Sequence, residues 1–283
     1  MKVLVTGVDG QLGHDVMAEL DRRQIEALGV DLPQMDITDK ESVLKTIEDY
    51  GPDAVIHCAA WTAVDAAEDA VDQCRKVNAE GTANIAEACS RAGCSMMYIS
   101  TDYVFDGQGT RPWEPDDPVT QPLNVYGLTK YEGEEAVRSF LDRYFIVRIA
   151  WVFGKNGKNF IRTMLNLSEK YQRITVVDDQ YGTPTYTFDL ARLLVDMILT
   201  DRYGIYHVTN EGDYITWYDF ACEIFRQAGI TMEVVPVSSA EYAARARRPE
   251  NSRMNRSRIT GEGFTPLPDW KDALGRYLKE IAE

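Results

Sequence analysis

Short apolar runs alternate with amphipathic stretches through the first half of the chain. The runs at 2–7 (KVLVTG), 25–31, 53–60, 95–101 and 144–150 are rich in Val, Ile and Ala, and several are almost continuously apolar. Strands covered by helices on both faces read this way, because neither face meets water. Between them, 11–23 and 78–93 carry helical patterns, and Gly93 stands where a helix C-terminal cap is expected. Strand–helix alternation predicts an α/β chain folded as a doubly wound parallel sheet with right-handed crossovers.

The rhythm changes near residue 152. A helix is predicted over 159–172, a strand and loop over 174–186, and an amphipathic helix over 216–229 with Thr216 as its N-cap. Residues 245–258 form a polar, arginine-dense loop. The pattern predicts a first domain over 1–152, rejoined by about 187–203, and a smaller lobe from 153–186 and 204–283.

Composition narrows the function. The 283 residues, 45% hydrophobic, suffice for one large α/β domain with a smaller attachment. A net charge of -15 argues against nucleic acid and anionic membranes as partners, yet allows a small anion in a local basic pocket. Five cysteines without a CxxC pair, and three scattered histidines, argue against a disulfide framework and a His/Cys metal cluster. Neither a secretory leader nor an apolar stretch of membrane-spanning length is apparent, so a cytoplasmic location is expected.

The first strand runs into VTGVDGQLG, which places Gly7, Gly10 and Gly13 around Gln11 and Leu12 at the start of a helix. Glycines in this position permit a tight turn and let the backbone approach a pyrophosphate at a helix N-terminus, the device of Rossmann-like dinucleotide-binding domains. Asp31 closes the second strand about 20 residues later, as that fingerprint expects. Its carboxylate would accept from adenosine ribose hydroxyls and repel a 2′-phosphate, which favours NADH slightly over NADPH. Asp36 and Ile37 would then lie near the adenine. A plain βα turn and a solvated strand-end aspartate are the bland alternatives.

Chemistry is concentrated further on. Ser100 and Thr101 end the 95–101 strand, where open parallel sheets bind ligands. Tyr126 and Lys130, four apart after a proline-rich loop, would share one helical face. A phenol ordinarily ionises near pH 10, and a neighbouring ammonium would bring it toward neutrality and make it a better acid.

The spacing Gly7-x-x-Gly10-x-x-Gly13, the Ser/Thr pair at 100–101 and Tyr126-x-x-x-Lys130 together resemble the extended short-chain dehydrogenase/reductases. Further stretches carry the likeness: CAAWTAVDAAE, STDYVFDG, PLNVYGLTKYEGE, RIAWVFG, VDDQYGTPT and RPENSRM. Asp179 stands where the pattern also has Asn, a mild departure. The likeness is strongest to reductases that convert the C4 keto group of dTDP-4-dehydro-L-rhamnose to the alcohol of dTDP-L-rhamnose. It implies that Tyr126 protonates the carbonyl oxygen, that Lys130 binds the nicotinamide ribose and tunes Tyr126, and that Thr101 holds the reacting oxygen. It also implies cofactor contact from Ala59, Ala60 and Trp61, and dTDP-sugar contact from Val64, Asp65, Asp102, Trp151, Arg248 and Arg253. For Trp151, core packing weighs equally. Asn78 reads as a helix N-cap, or as a support for the active-site backbone, and the cap is preferred. A homodimer and a divalent ion such as Mg are compatible with the resemblance, although no ligand spacing predicts a metal. A nucleotide-sugar epimerase or dehydratase, and a non-catalytic dinucleotide sensor, remain open alternatives.

Overall fold

The computed structural model describes residues 1–242 and 244–282. Strands β1 (Lys2–Thr6), β2 (Glu26–Val30), β3 (Ala54–His57), β4 (Ser95–Thr101), β5 (Tyr144–Ile149) and β6 (Gly204–Val208) form a parallel sheet in the order β6-β5-β4-β3-β1-β2. Alternate residues of each strand face opposite ways. Val3, Val5, Ile56, Phe145 and Val147 therefore join one core, while Leu4, Val55, Tyr98 and Ile146 join the other. Both faces are covered. Helix α1 (Gln11–Arg22) contributes Leu12, Val16 and Leu20 to the first core. On the other face, α2 (Lys40–Tyr50), α3 (Thr82–Ala92) and α4 (Val125–Phe140) supply Val43, Ile47, Ile85, Cys89 and Val137. Helix α5 (Thr187–Ile198) packs with α1, burying Leu190, Leu193 and Leu194.

The strand order reverses at β1, with β2 on one side and β3 on the other. That switch point opens a crevice beyond the carboxyl ends of the strands. Gly93 closes α3 in the left-handed conformation, φ 68°, and Thr216 forms a capping box with Asp219 at the start of the helix Trp217–Ala228.

A third core gathers Phe153, Ile161, Ile174, Phe220, Ile224, Trp270 and Tyr277 from the chain beyond β5. The lobe boundary expected at 204 needs correcting. Residues 204–208 pair with β5 as the sixth strand of the main sheet, and Ile259, Phe264 and Leu267 pack into the first core. The reason is apolar contact: β5 would otherwise be an open edge, and Tyr206 and Val208 cover core residues there.

Candidate active site

A cleft of about 700 Å³ runs from the glycine turn, past the end of β1, to the ends of β3 and β4. Gly7, Gly10, Gln11, Leu12, Gly13, Asp31, Asp36, Ile37, Ala59, Ala60, Val64, Thr101, Asp102, Tyr126, Lys130 and Trp151 all line it. Trp61, Asp65, Arg248 and Arg253 do not.

At the glycine end the backbones are in direct contact. Gly7 has φ +73°, and a Cβ on it would stand 2.6 Å from the Ala59 nitrogen. A Cβ on Gly13 would press into the Gly7 carbonyl oxygen and lie 2.7 Å from its carbon. Side chains are thus excluded where α1 begins, and the turn presents backbone to the cleft. Asp31 is held against this turn, accepting from the Asp9 backbone N–H at 3.1 Å. A cradle without side chains, a helix N-terminus and a carboxylate at the end of β2 fit a dinucleotide.

The loop after β3 is fixed by Asn78. Its Oδ1 accepts from the Trp61 N–H at 2.8 Å, and its Nδ2 donates to the Trp61 carbonyl at 3.1 Å and to Thr129 Oγ1 at 3.2 Å. The preferred reading of Asn78 as an N-cap is therefore corrected. It lies inside a π-helical turn, Lys76–Gly81, that joins the helix Val71–Arg75 to α3. Its amide has no orphan helix donor to satisfy and bonds the loop instead. Trp61 turns its indole Nε1 to the Ala63 carbonyl at 3.1 Å, away from the cleft. His57 is a core residue, with Nδ1 2.7 Å from Thr6 Oγ1 and Nε2 3.1 Å from Thr82 Oγ1, and burial lowers its pKa to about 3.

Asn124 caps α4, accepting from the Gly127 N–H at 2.8 Å, and so starts the helix two residues before Tyr126. Tyr126 and Lys130 share the helix face turned to β4. Lys130 Nζ donates to the Ile99 carbonyl at 2.7 Å and lies 4.1 Å from the centre of the Tyr98 ring. Burial pulls its pKa down to about 7, against the upward pull of Glu134. Tyr126 departs from expectation. Burial raises its pKa well above the ordinary phenol, the Thr101 hydroxyl opposes this, and the Asp102 carboxylate adds to it. No lowering by Lys130 enters that balance: with its own pKa at about 7 the amine is uncharged where the phenol ionises, and burial decides.

Asp102 is buried behind Thr101, accepting from the Thr101 hydroxyl at 3.0 Å and from Ser252 Oγ. Burial lifts its carboxyl pKa to about 6. Trp151 lines the cleft at φ +51° and stacks on Trp217 with centroids 3.8 Å apart. Trp217 and Lys158, which also line the cleft, went unnoticed in the sequence. The aromatic-initiated helix TWYDFA was a signal for the first, whereas nothing local marked the second.

The arginine-dense loop is mostly occupied with carboxylates. Arg248 binds Asp65 with Nη2 at 2.7 Å, and Asp65 also accepts from the Ala246 N–H at 3.0 Å. Arg245 pairs with Asp69 and Arg258 with Asp116, while Arg256 donates to the Asn210 carbonyl at 2.8 Å. Arg253 lies 4.0 Å over the Tyr181 ring and donates to Asn251 Oδ1 at 3.0 Å. Asp65 and Arg248 thus satisfy each other instead of facing the cleft. Among the described residues no group of three or more His, Cys, Asp and Glu could hold a metal ion, and no helix is long and apolar enough to cross a membrane.

The family model described as RmlD substrate binding domain matches residues 1–283. The chain belongs to this family. Similar to it is a dTDP-4-dehydrorhamnose reductase of Streptomyces griseus, 42% identical, covering 96% of this chain and 91% of that one. The crystal structure of a dTDP-4-dehydrorhamnose reductase from Clostridium acetobutylicum superposes with TM-score 0.97 at 40% identity, over the full length of both chains. One from Bacillus anthracis, solved in complex with NADP, superposes with TM-score 0.95 at 39% identity over 99% of each. RmlD-family membership agrees with the observed fold, a six-stranded parallel sheet of Rossmann type. The chain is a nicotinamide-dinucleotide-dependent oxidoreductase.

Proposed function

We propose that the protein reduces the C4 keto group of dTDP-4-dehydro-L-rhamnose to give dTDP-L-rhamnose. One observation carries this reading: Thr101, Tyr126 and Lys130 converge at the end of β4 in the same cleft that the glycine turn opens at its other end. When bound, the reduced nicotinamide supplies the hydride. The chain's own residues handle the oxygen and the proton. Tyr126, kept protonated by burial, is the proton donor to the carbonyl oxygen. The Thr101 hydroxyl holds that oxygen in reach. Lys130 stands at the cleft floor as the ribose contact, and Trp151 offers an apolar ring face to the sugar. Gly7, Gly10 and Gly13 admit the pyrophosphate at the N-terminus of α1.

NADH is slightly favoured over NADPH, because the Asp31 carboxylate at the end of β2 would repel a 2′-phosphate bound beside it. The NADP complex of the Bacillus anthracis relative makes both cofactors necessary in the test. Purified protein is mixed with dTDP-4-dehydrorhamnose and either cofactor, and nicotinamide absorbance is followed. Oxidation with at least one is expected, and its absence with both overturns the assignment. An epimerase would instead retain a stoichiometric dinucleotide without net consumption.

A further inference from the structure

Three successive residues of β4 engage three residues spaced four apart on α4. Thr101 lines the cleft with Tyr126, the Ile99 carbonyl accepts from Lys130, and Ser100 Oγ donates to Glu134 Oε1 at 2.6 Å. The first two rungs belong to the centre described above. The third plays no part in it, yet it is the most deeply buried: the Glu134 and Arg148 side chains are 0% and 1% exposed.

Glu134 gives both carboxylate oxygens to Arg148, Oε1 to Nε at 2.8 Å and Oε2 to Nη2 at 2.7 Å. Arg148 is braced in turn. Its Nη1 donates to the Pro115 carbonyl at 3.2 Å and to His207 Nε2 at 3.4 Å, and its guanidinium lies 4.9 Å from the Phe105 ring centre. His207 Nδ1 meets the Trp113 carbonyl at 3.0 Å. A carbonyl only accepts, so the imidazole proton sits on Nδ1 and Nε2 accepts from Arg148. A buried ion pair is seldom the most stabilising way to fill a core. Its presence directly behind Lys130 points to another use.

We propose that Glu134 is a positioning residue for the reduction, clamped by Arg148 and Ser100 so that its fixed charge holds Lys130 as a cation against the Ile99 carbonyl. The proposal rests on the role given to Lys130 above. The groups facing Lys130 come from every element around it: His57 on β3, Cys58 just after it, Cys74 on the helix Val71–Arg75, Tyr98 on β4, and Tyr126 and Glu134 on α4. Burial lifts the Cys58 thiol to about 12, raises Cys74, Tyr98 and Tyr126, and lowers His57 to about 3. All five are neutral near pH 7. Glu134 is then the charged group opposing the loss of the Lys130 proton that burial promotes.

The sign of the effect follows. Lys130 is cationic below its pKa, so activity falls as pH rises through it, and removing the Glu134 charge moves that alkaline limb to lower pH. The test is the pH profile of kcat for wild type, Glu134→Gln and Glu134→Asp, with thermal melts alongside. Glu134→Gln is expected to shift the limb acidward by about one pH unit, a loss near tenfold on the alkaline side that recovers at lower pH. Glu134→Asp keeps the charge and should hold the limb near wild type. Because Glu134→Gln leaves Arg148 without its carboxylate, the double variant E134Q/R148M is measured too. It lacks the orphaned guanidinium, so it should fold and show an acid shift of the same sign, smaller than that of Glu134→Gln because the Arg148 charge is removed with it. A purely structural role would lower the melting point and depress kcat equally at every pH. A folded variant without the Glu134 charge whose limb stays at the wild-type position overturns the proposal. An inactive wild type would instead overturn the functional assignment, and the two failures are distinct.

Discussion

Gly13→Ala tests whether the contact between α1 and the glycine turn is as tight as the geometry requires. The new Cβ would press into the Gly7 carbonyl oxygen and stand 2.7 Å from the Gly7 carbon and 2.9 Å from Val8 Cα. Non-bonded carbons settle near 3.5–4.0 Å, so one side must retreat by about 1 Å. Gly7 is hemmed in, because its own Cβ position already abuts Ala59 N at 2.6 Å. The start of α1 must therefore move. Overpacking of this kind typically costs about 1–3 kcal/mol, which in a chain of this size lowers the melting temperature by roughly 2–10 °C. Displacing the backbone N–H groups by about 1 Å should weaken dinucleotide binding by at least about tenfold. Gly261→Ala is the control: no atom lies within 4 Å of its Cβ position and it ends a short helix, Ser257–Gly261. That change should leave binding intact and melt at or slightly above wild type, by up to roughly 4 °C. The assay is a fluorescence titration with NADH and NADPH, paired with a thermal melt. If Gly13→Ala binds and melts like the control, α1 is not seated on the turn as described and the cradle argument fails.

Tyr126→Phe should retain cofactor binding while kcat falls by at least about 100-fold, the scale of a lost general acid, as read by steady-state kinetics beside the same titration. Asp31→Asn should improve NADPH binding relative to NADH by at least about tenfold, since it removes a like charge facing the 2′-phosphate. An unchanged ratio would remove Asp31 from cofactor choice. Asp102 predicts a pH dependence of stability. Its folded pKa, about 6, lies above the ordinary 3.8, so the folded state binds more protons between these values and stability declines as pH rises across that window. The contribution is about 3 kcal/mol at most. Urea denaturation from pH 4 to 6 should show a flatter slope for Asp102→Asn than for wild type.

Most strands that could be read from the sequence are buried on both faces, because burial leaves an uninterrupted apolar run; the edge strand β2, with only Val30 buried, was read from its apolar residues all the same. Strand β6 was missed for a physical reason. GIYHV begins on a glycine with φ +138°, carries His207 into the Arg148 network, and follows the change of rhythm that marks the second lobe. The chemical centre was legible because Tyr126 and Lys130 depend on one helical turn, a local relation. The direction of the Tyr126 shift was not, since it depends on how deeply the fold buries both groups. The partners of the arginine loop were not legible either. Its carboxylates, Asp65, Asp69 and Asp116, lie more than a hundred residues away in the chain. Asn78 sits in a helical sequence, and only the π turn that redirects its amide toward Trp61 shows what it does.

Trp151 joins the two readings that the sequence left balanced. It packs against the third core, and it also lines the cleft. A non-glycine residue at φ +51° carries strain of about 1–3 kcal/mol and persists only where its surroundings over-determine it. They do here. Trp217 stacks on one side at 3.8 Å, and Gly182 gives up the space for a side chain, since a Cβ there would come within 2.8 Å of the indole. Filling the core alone does not require this conformation, because an apolar residue with ordinary backbone can pack beside Phe220. The indole carried on this backbone does line the cleft. The strained backbone and the missing side chain at 182 therefore favour the cleft-facing role of Trp151, with Trp217 as the support that keeps its ring in one orientation.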